Sequence, residues 1–138
     1  MSISATLLVG QDPNQRRTFT ASTALEAHRL VTLTAGAEAA YPAAQFGMAF
    51  GITLHAAEAG KPVEVAVGGY ALLKVDGNAS AIAIGDSICT HDTAGLGQKV
   101  AGGAAGNRHC IGFAASASTA DGDLISVEVN KHLAYFAA

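Results

Sequence analysis

From His28 onward, apolar and polar residues alternate with a period of two. Val31 and Leu33 alternate with Thr32 and Thr34, and the longest run is Gln45 to Leu54. There Phe46, Met48, Phe50, Ile52 and Leu54 fall on one side and Gln45, Gly47, Ala49, Gly51 and Thr53 on the other, which predicts a strand with one bulky buried face. Val63, Val65 and Val67 predict another, broken by Gly68-Gly69 and followed by a strand over Tyr70–Val75. Asp76-Gly77-Asn78 is a hairpin signal. Ile82, Ile84 and Ile88 precede a Gly-rich stretch from Gly95 to Gly106. Ile111 with Phe113, a turn at Ala120–Asp123, and Ile125, Val127 and Val129 complete the pattern. Short strands with Gly/Asp turns predict an all-β chain, a small β-barrel or sandwich of short hairpins. Helix is confined to one or two short pieces at most. One is a capping box at Thr23 and Glu26, the other a crossover near 35–44 interrupted by Gly36 and Pro42.

One pattern occurs twice. Gly51-Ile-Thr-Leu-His-Ala-Ala-Glu-Ala-Gly60 followed by Val63–Val67 is echoed by Gly112-Phe-Ala-Ala-Ser-Ala-Ser-Thr-Ala-Asp-Gly122 followed by Ile125–Val129. The echo is either a true repeat or two hairpins that look alike. Residues 1–27 lack sustained periodicity. They are expected to form an extended N-terminal arm that contributes little to the core, ahead of a single β-rich domain over 28–138. Within the arm, Ile3, Leu7 and Val9 lie on alternate positions, compatible with adding a strand to another sheet edge.

Composition narrows the functional classes. Only 14% of the 138 residues are charged, 50% are hydrophobic and 6% aromatic, and the net charge is −3. No basic patch suits nucleic acid. No apolar run reaches the roughly 18 residues of a membrane span, and no basic segment opens a secretory leader. Cys89 and Cys110 do not make a disulfide framework, so a reducing compartment is expected.

The candidate chemistry is thin. Cys89, His91, His109 and Cys110 lack the spacing of a zinc module and read as buried thiols and rim histidines. Cys110 adjoins His109, but neighbours on a strand point to opposite faces, so they do not form a nucleophile and base. Gly95-Leu-Gly97 opens like a dinucleotide loop, yet Val100 stands where the third glycine belongs. Asp86 and Asp123 follow turn glycines and read as turn residues. No catalytic residue, metal or cofactor is expected.

An ordered series of pieces nevertheless resembles a known family. It runs Phe50-Gly-Ile52, Ala56-Ala-Glu-Ala-Gly60, Val63-Glu-Val-Ala-Val67-Gly68, Ile84-Gly-Asp86, Cys110-Ile-Gly-Phe-Ala114, Ala120-Asp-Gly-Asp123 and Val127-Glu-Val129. Over about His28 to Val129 the chain resembles the cement, or decoration, proteins of tailed-phage capsids. The resemblance implies a non-enzymatic virion protein, made in the host cytoplasm, that sits on the outer head surface. There it would bridge neighbouring major capsid subunits, and it implies a homotrimer. On this reading Ile3, Leu7, Val9, Arg16 and Arg17 are the candidate capsid or subunit contacts, with the arginines meeting acidic groups. A virion fibre or carbohydrate-binding module, and a small β-barrel enzyme, are the alternatives. The chain departs from the family pattern in its long segment before Ala27 and in Lys131-His-Leu-Ala-Tyr-Phe136 after the last family strand.

Overall fold

The computed structural model describes residues 12–34, 36–77, 80–91, 94–100 and 105–137. Among them there are nine strands and no helix. The strands are β1 (Asp12–Ala21), β2 (Leu30–Leu33), β3 (Glu38–Ala40), β4 (Gly51–Thr53), β5 (Pro62–Asp76), β6 (Ser87–Thr90), β7 (Gly97–Lys99), β8 (Gly106–Ala114) and β9 (Asp121–Phe136). They form one sheet in the order β1-β3-β2-β4-β5-β7-β6-β8-β9, and further β1–β5 and β5–β9 pairings bring the ladder back on itself twice. The result is two closed circuits of strand pairing that share β5.

The two circuits are copies of one design. Ile52↔Ala66 and Thr53↔Val65 in the first recur as Phe113↔Glu128 and Ala114↔Val127 in the second. Val31↔Gly51 recurs as Ile88↔Gly112, and Leu33↔Ala39 as Thr90↔Gly97. Phe19↔Val63 and Arg17↔Val65 recur as Leu73↔Ile125 and Ala71↔Val127. Even the isolated bridges match, Leu25↔Ala57 with Ile82↔Ser118. The parallel contact Ala21↔Ala39 has its counterpart in Val75↔Gly97. The echo in the sequence is therefore the visible part of a duplication that spans the fold. β5 serves as the last strand of one copy and the first of the next.

The conserved geometry explains the glycines that matter. A Cβ at Gly51 would collide with Val65 and the Ala66 carbonyl, and one at Gly112 with the Glu128 carbonyl. Equivalent backbones pass too close for a side chain in both copies. At the turn into the following strand the first copy places His28 at φ 63° and the second Gly85 at φ 92°. Each donates its N–H across the circuit, His28 to Thr53 O at 2.9 Å and Gly85 to Ala114 O at 2.7 Å.

Each circuit encloses apolar side chains. Ala21, Leu25, Val31, Ala39, Val63 and Val65 pack in the first. A larger cluster that includes Leu30, Ile52, Leu73, Val75, Ile88, Ile111, Ile125 and Val127 extends through the second. Each fully buried Leu, Ile or Val contributes about 1.5–3 kcal/mol.

Several expectations are corrected. The segment up to Ala27 is not all arm: β1 pairs antiparallel with β5 from Thr20↔Pro62 to Asp12↔Tyr70, and Ala21 and Leu25 are core residues. Its polar sequence hid the strand, because Arg16, Thr18 and Thr20 face water. Residues Ile3, Leu7 and Val9 lie outside the described residues. The strand expected over Gln45–Leu54 is reduced to Gly51–Thr53, because Phe46 takes φ 62° and its N–H donates to Thr90 O at 3.0 Å. Met48 is consequently exposed, not buried. Gly68-Gly69 bends β5 at Gly69, φ 77°, without ending it. Thr23 and Glu26 cap no helix; the segment runs to the Leu25 bridge.

Candidate functional site

A groove of about 750 Å³ opens where the two circuits meet. β1 supplies Asn14, Gln15, Arg16 and Arg17 to one wall. Phe50 just before β4, Val67 of β5 and Lys131 of β9 complete it. Gln15 reaches this wall by lying over Gly68, where any Cβ would press on its side chain. Phe50 is held edge-on to Phe19, with ring centroids 5.5 Å apart. Lys131 Nζ sits 4.2 Å from the centre of the Phe50 ring, a cation–π contact.

The electrostatics of the groove are uneven. Arg16 donates to Glu64 Oε2 at 3.3 Å, and both partners are about half exposed. Such a pair contributes at most about 1 kcal/mol. Among the described residues neither Arg17 nor Lys131 makes a salt bridge. The groove thus carries two uncompensated cations in a chain of net charge −3.

The duplication shows what the groove replaces. Arg17, Phe50 and Val67 stand where the second copy has Ala71, Ile111 and Val129. Those three are buried, Ala71 at 0% exposure. The second circuit is closed at this point; the first is open and charged.

Of the residues singled out in the sequence, the structure brings Arg16 and Arg17 together in this groove. It also brings Cys89 opposite Cys110 on β6 and β8. Both thiols are buried and free. Burial pushes Cys89 up to about 12, with the neighbouring Cys110 adding to the rise, and burial likewise raises Cys110. They are protonated at neutral pH and weak nucleophiles. The histidines go elsewhere. His91 Nε2 pairs with Asp76 at 3.1 Å, and His109 is exposed opposite Leu133. Among the described residues no three His, Cys, Asp or Glu side chains gather where a metal could be held.

One pair has the look of a nucleophile and its base. The Ser87 hydroxyl lies 2.9 Å from His132 Nε2, while His132 Nδ1 lies 2.7 Å from Asn130 O. With Nδ1 donating to the carbonyl, Nε2 accepts from Ser87. The imidazole, however, is stacked on Phe113 at 4.3 Å, and neither Ser87 nor His132 lines the groove. The geometry ties β9 to β6.

Sequence reading missed Phe50, Val67 and Lys131 as groove residues. Only the register of the two copies relates Phe50 to Ile111 and Val67 to Val129, while Lys131 opens the C-terminal extension of β9. The internal echo was the signal that pointed there.

The sequence matches the family model described as phage cement protein over residues 10–130, which takes in both copies. A comparison with curated proteins finds no match. Among solved structures, the chain is similar to the head fiber gp8.5 N base of bacteriophage phi29. The TM-score is 0.62 at 18% identity, covering 84% of this chain and 93% of that one. At that identity the likeness speaks for the fold.

Proposed function

The chain belongs to the phage cement protein family, and from that membership we propose that it binds the exterior of the assembled capsid and stabilises it by bridging neighbouring major capsid subunits. The observation that carries this reading is the family match across residues 10–130, both circuits included. The structure offers supporting features. Exposed apolar residues, Leu133 at 59% and Tyr135 at 68%, stand on successive outward positions of β9, which suits a surface covered by neighbours. The Ser87–His132 pair lies outside the β1–β9 groove, with its imidazole stacked on Phe113, which suits a structural tie between β9 and β6.

The energetics are those of a state-selective ligand. A protein that binds the expanded lattice and not its precursor shifts the equilibrium by its binding free energy. Many copies on a closed shell add avidity, so each contact can be weak. A homotrimer suits this role, because its symmetry lets one particle touch several capsomers. Arg16 and Arg17 are capsid-contact candidates on the groove wall, and Ile3, Leu7 and Val9 remain candidates for adding a strand to the capsid or a sister subunit.

A second reading follows from the phi29 likeness: a base from which a fibre projects. Cryo-electron microscopy of decorated heads separates the two. Density lying flat over capsomer junctions, in contact with two or more major capsid subunits on the outer surface, is the expected result. Density rising as a shaft from a single attachment point overturns the bridging role in favour of the fibre base.

A further inference from the structure

Resting on the capsid-binding reading above, we propose that the groove between β1, β4 and β9 receives an extended acidic segment of the capsid surface, with Arg17 and Lys131 as its charge anchors. The fold does not require these cations. The second circuit forms the same register with Ala71 and Val127 where the first has Arg17 and Val65. An arginine there opens a position that the architecture otherwise closes with an alanine. Nor does a carboxylate neutralise them: Arg16 engages Glu64, whereas Arg17 and Lys131, the latter resting on the Phe50 ring, have no salt bridge among the described residues.

The groove also suits an extended occupant. β9 pairs with β5 as far as Val129↔Gly69, and beyond it, from Lys131 to Phe136, its β5-facing edge has no partner strand among the described residues. An added strand finds backbone donors and acceptors there, with carboxylates reaching the two cations and an apolar side chain meeting Phe50 and Val67. Charge selects the occupant. Residues 1–11 of a second copy contain no Asp or Glu, so they cannot answer Arg17 and Lys131. A nucleic acid is disfavoured because two cations without a carboxylate partner are too few to track a phosphate backbone.

The test uses heads that lack the protein and the full-length chain, with binding measured across a salt series. The variants are R17E/K131E, the alanine pair R17A/K131A, and Lys61→Glu as a charge change on an exposed turn. Thermal unfolding of each shows that the fold is kept; the alanine pair serves if the glutamates disturb it. Expected is a loss of affinity of about tenfold or more for R17E/K131E, a smaller loss for the alanine pair, and a shallower salt dependence for both, with K61E like wild type. Unchanged affinity and salt dependence in both groove variants overturns the groove while leaving capsid binding in place. Failure of the wild type to bind heads overturns the capsid reading itself. Salt-sensitive wild-type binding to a duplex DNA probe, lost in R17E/K131E, overturns the acidic segment in favour of nucleic acid.

Discussion

Arg17 and Ala71 hold the same position in the two copies of the fold, opposite Val65 and Val127 respectively, yet Arg17 is exposed and Ala71 is buried. The pair makes reciprocal substitutions informative. Arg17→Ala removes an exposed cation with no ionic partner among the described residues and should change stability by no more than about 0.5 kcal/mol. Ala71→Arg forces a charge into a closed core and should cost about 3 kcal/mol or more. Urea unfolding of both proteins checks this, and equal effects would mean the first circuit is as closed as the second.

Glycine substitutions should rank by backbone approach. Gly112→Ala and Gly51→Ala drive a methyl group into a neighbouring strand's carbonyl and should each cost about 3 kcal/mol or more. Gly60→Ala, at φ 82° with open space around it, should cost about 1–2 kcal/mol. Denaturation midpoints for the three variants give the order directly.

The shared strand should make the two circuits unfold together. Leu73 is fully buried on β5, so Leu73→Ala should cost about 2–5 kcal/mol. It should shift one transition, seen alike by circular dichroism and by calorimetry. Two separated transitions would show that β5 does not couple the copies.

How far the arm extends can be settled by truncation. Removing residues 2–11 leaves β1 intact and should leave a folded protein. Removing 2–20 strips β1 from β5 and exposes Val63 and Val65, and should abolish folding. A folded 2–20 deletion would show that β1 is dispensable.

Alkaline pH should weaken the fold through Cys89. Its thiol titrates near 12 in the folded state, above the ordinary value of 9.0 that the unfolded chain recovers. Between those values the unfolded chain has lost the proton and the folded one has kept it. Stability from this group is therefore complete below about pH 9 and declines as pH rises toward 12. Cys89→Ser should flatten that decline, and native thiol labelling at neutral pH should be slow. Rapid labelling of both cysteines would contradict the burial.

Much of the fold was legible because strand faces leave a period-two trace where one side is buried. Val63, Val65, Ile125 and Val127 announced their strands, but Asp76-Gly77-Asn78 closes no hairpin, because β5 pairs with β7 and β9 and not with the next strand, β6. β1 was not legible, since its outward residues are Arg and Thr and its inward contribution is Phe19 alone until Ala21. The Gln45–Leu54 alternation misled for the opposite reason. Its periodicity is genuine, but Phe46 adopts a left-handed backbone to reach Thr90, which no local pattern encodes. Of the groove, the sequence displayed Arg16 and Arg17. Lys131 and Phe50 are brought there by pairing between strands far apart in the chain.

The measurement that bears most directly on the capsid role is DNA retention on heating. Expanded, DNA-filled heads lacking the protein are titrated with it, and bound copies and the temperature of DNA release are followed together. Cementing predicts saturable binding and a release temperature that climbs with occupancy to a plateau at saturation. Saturable binding with an unchanged release temperature, or no binding at all, would contradict it.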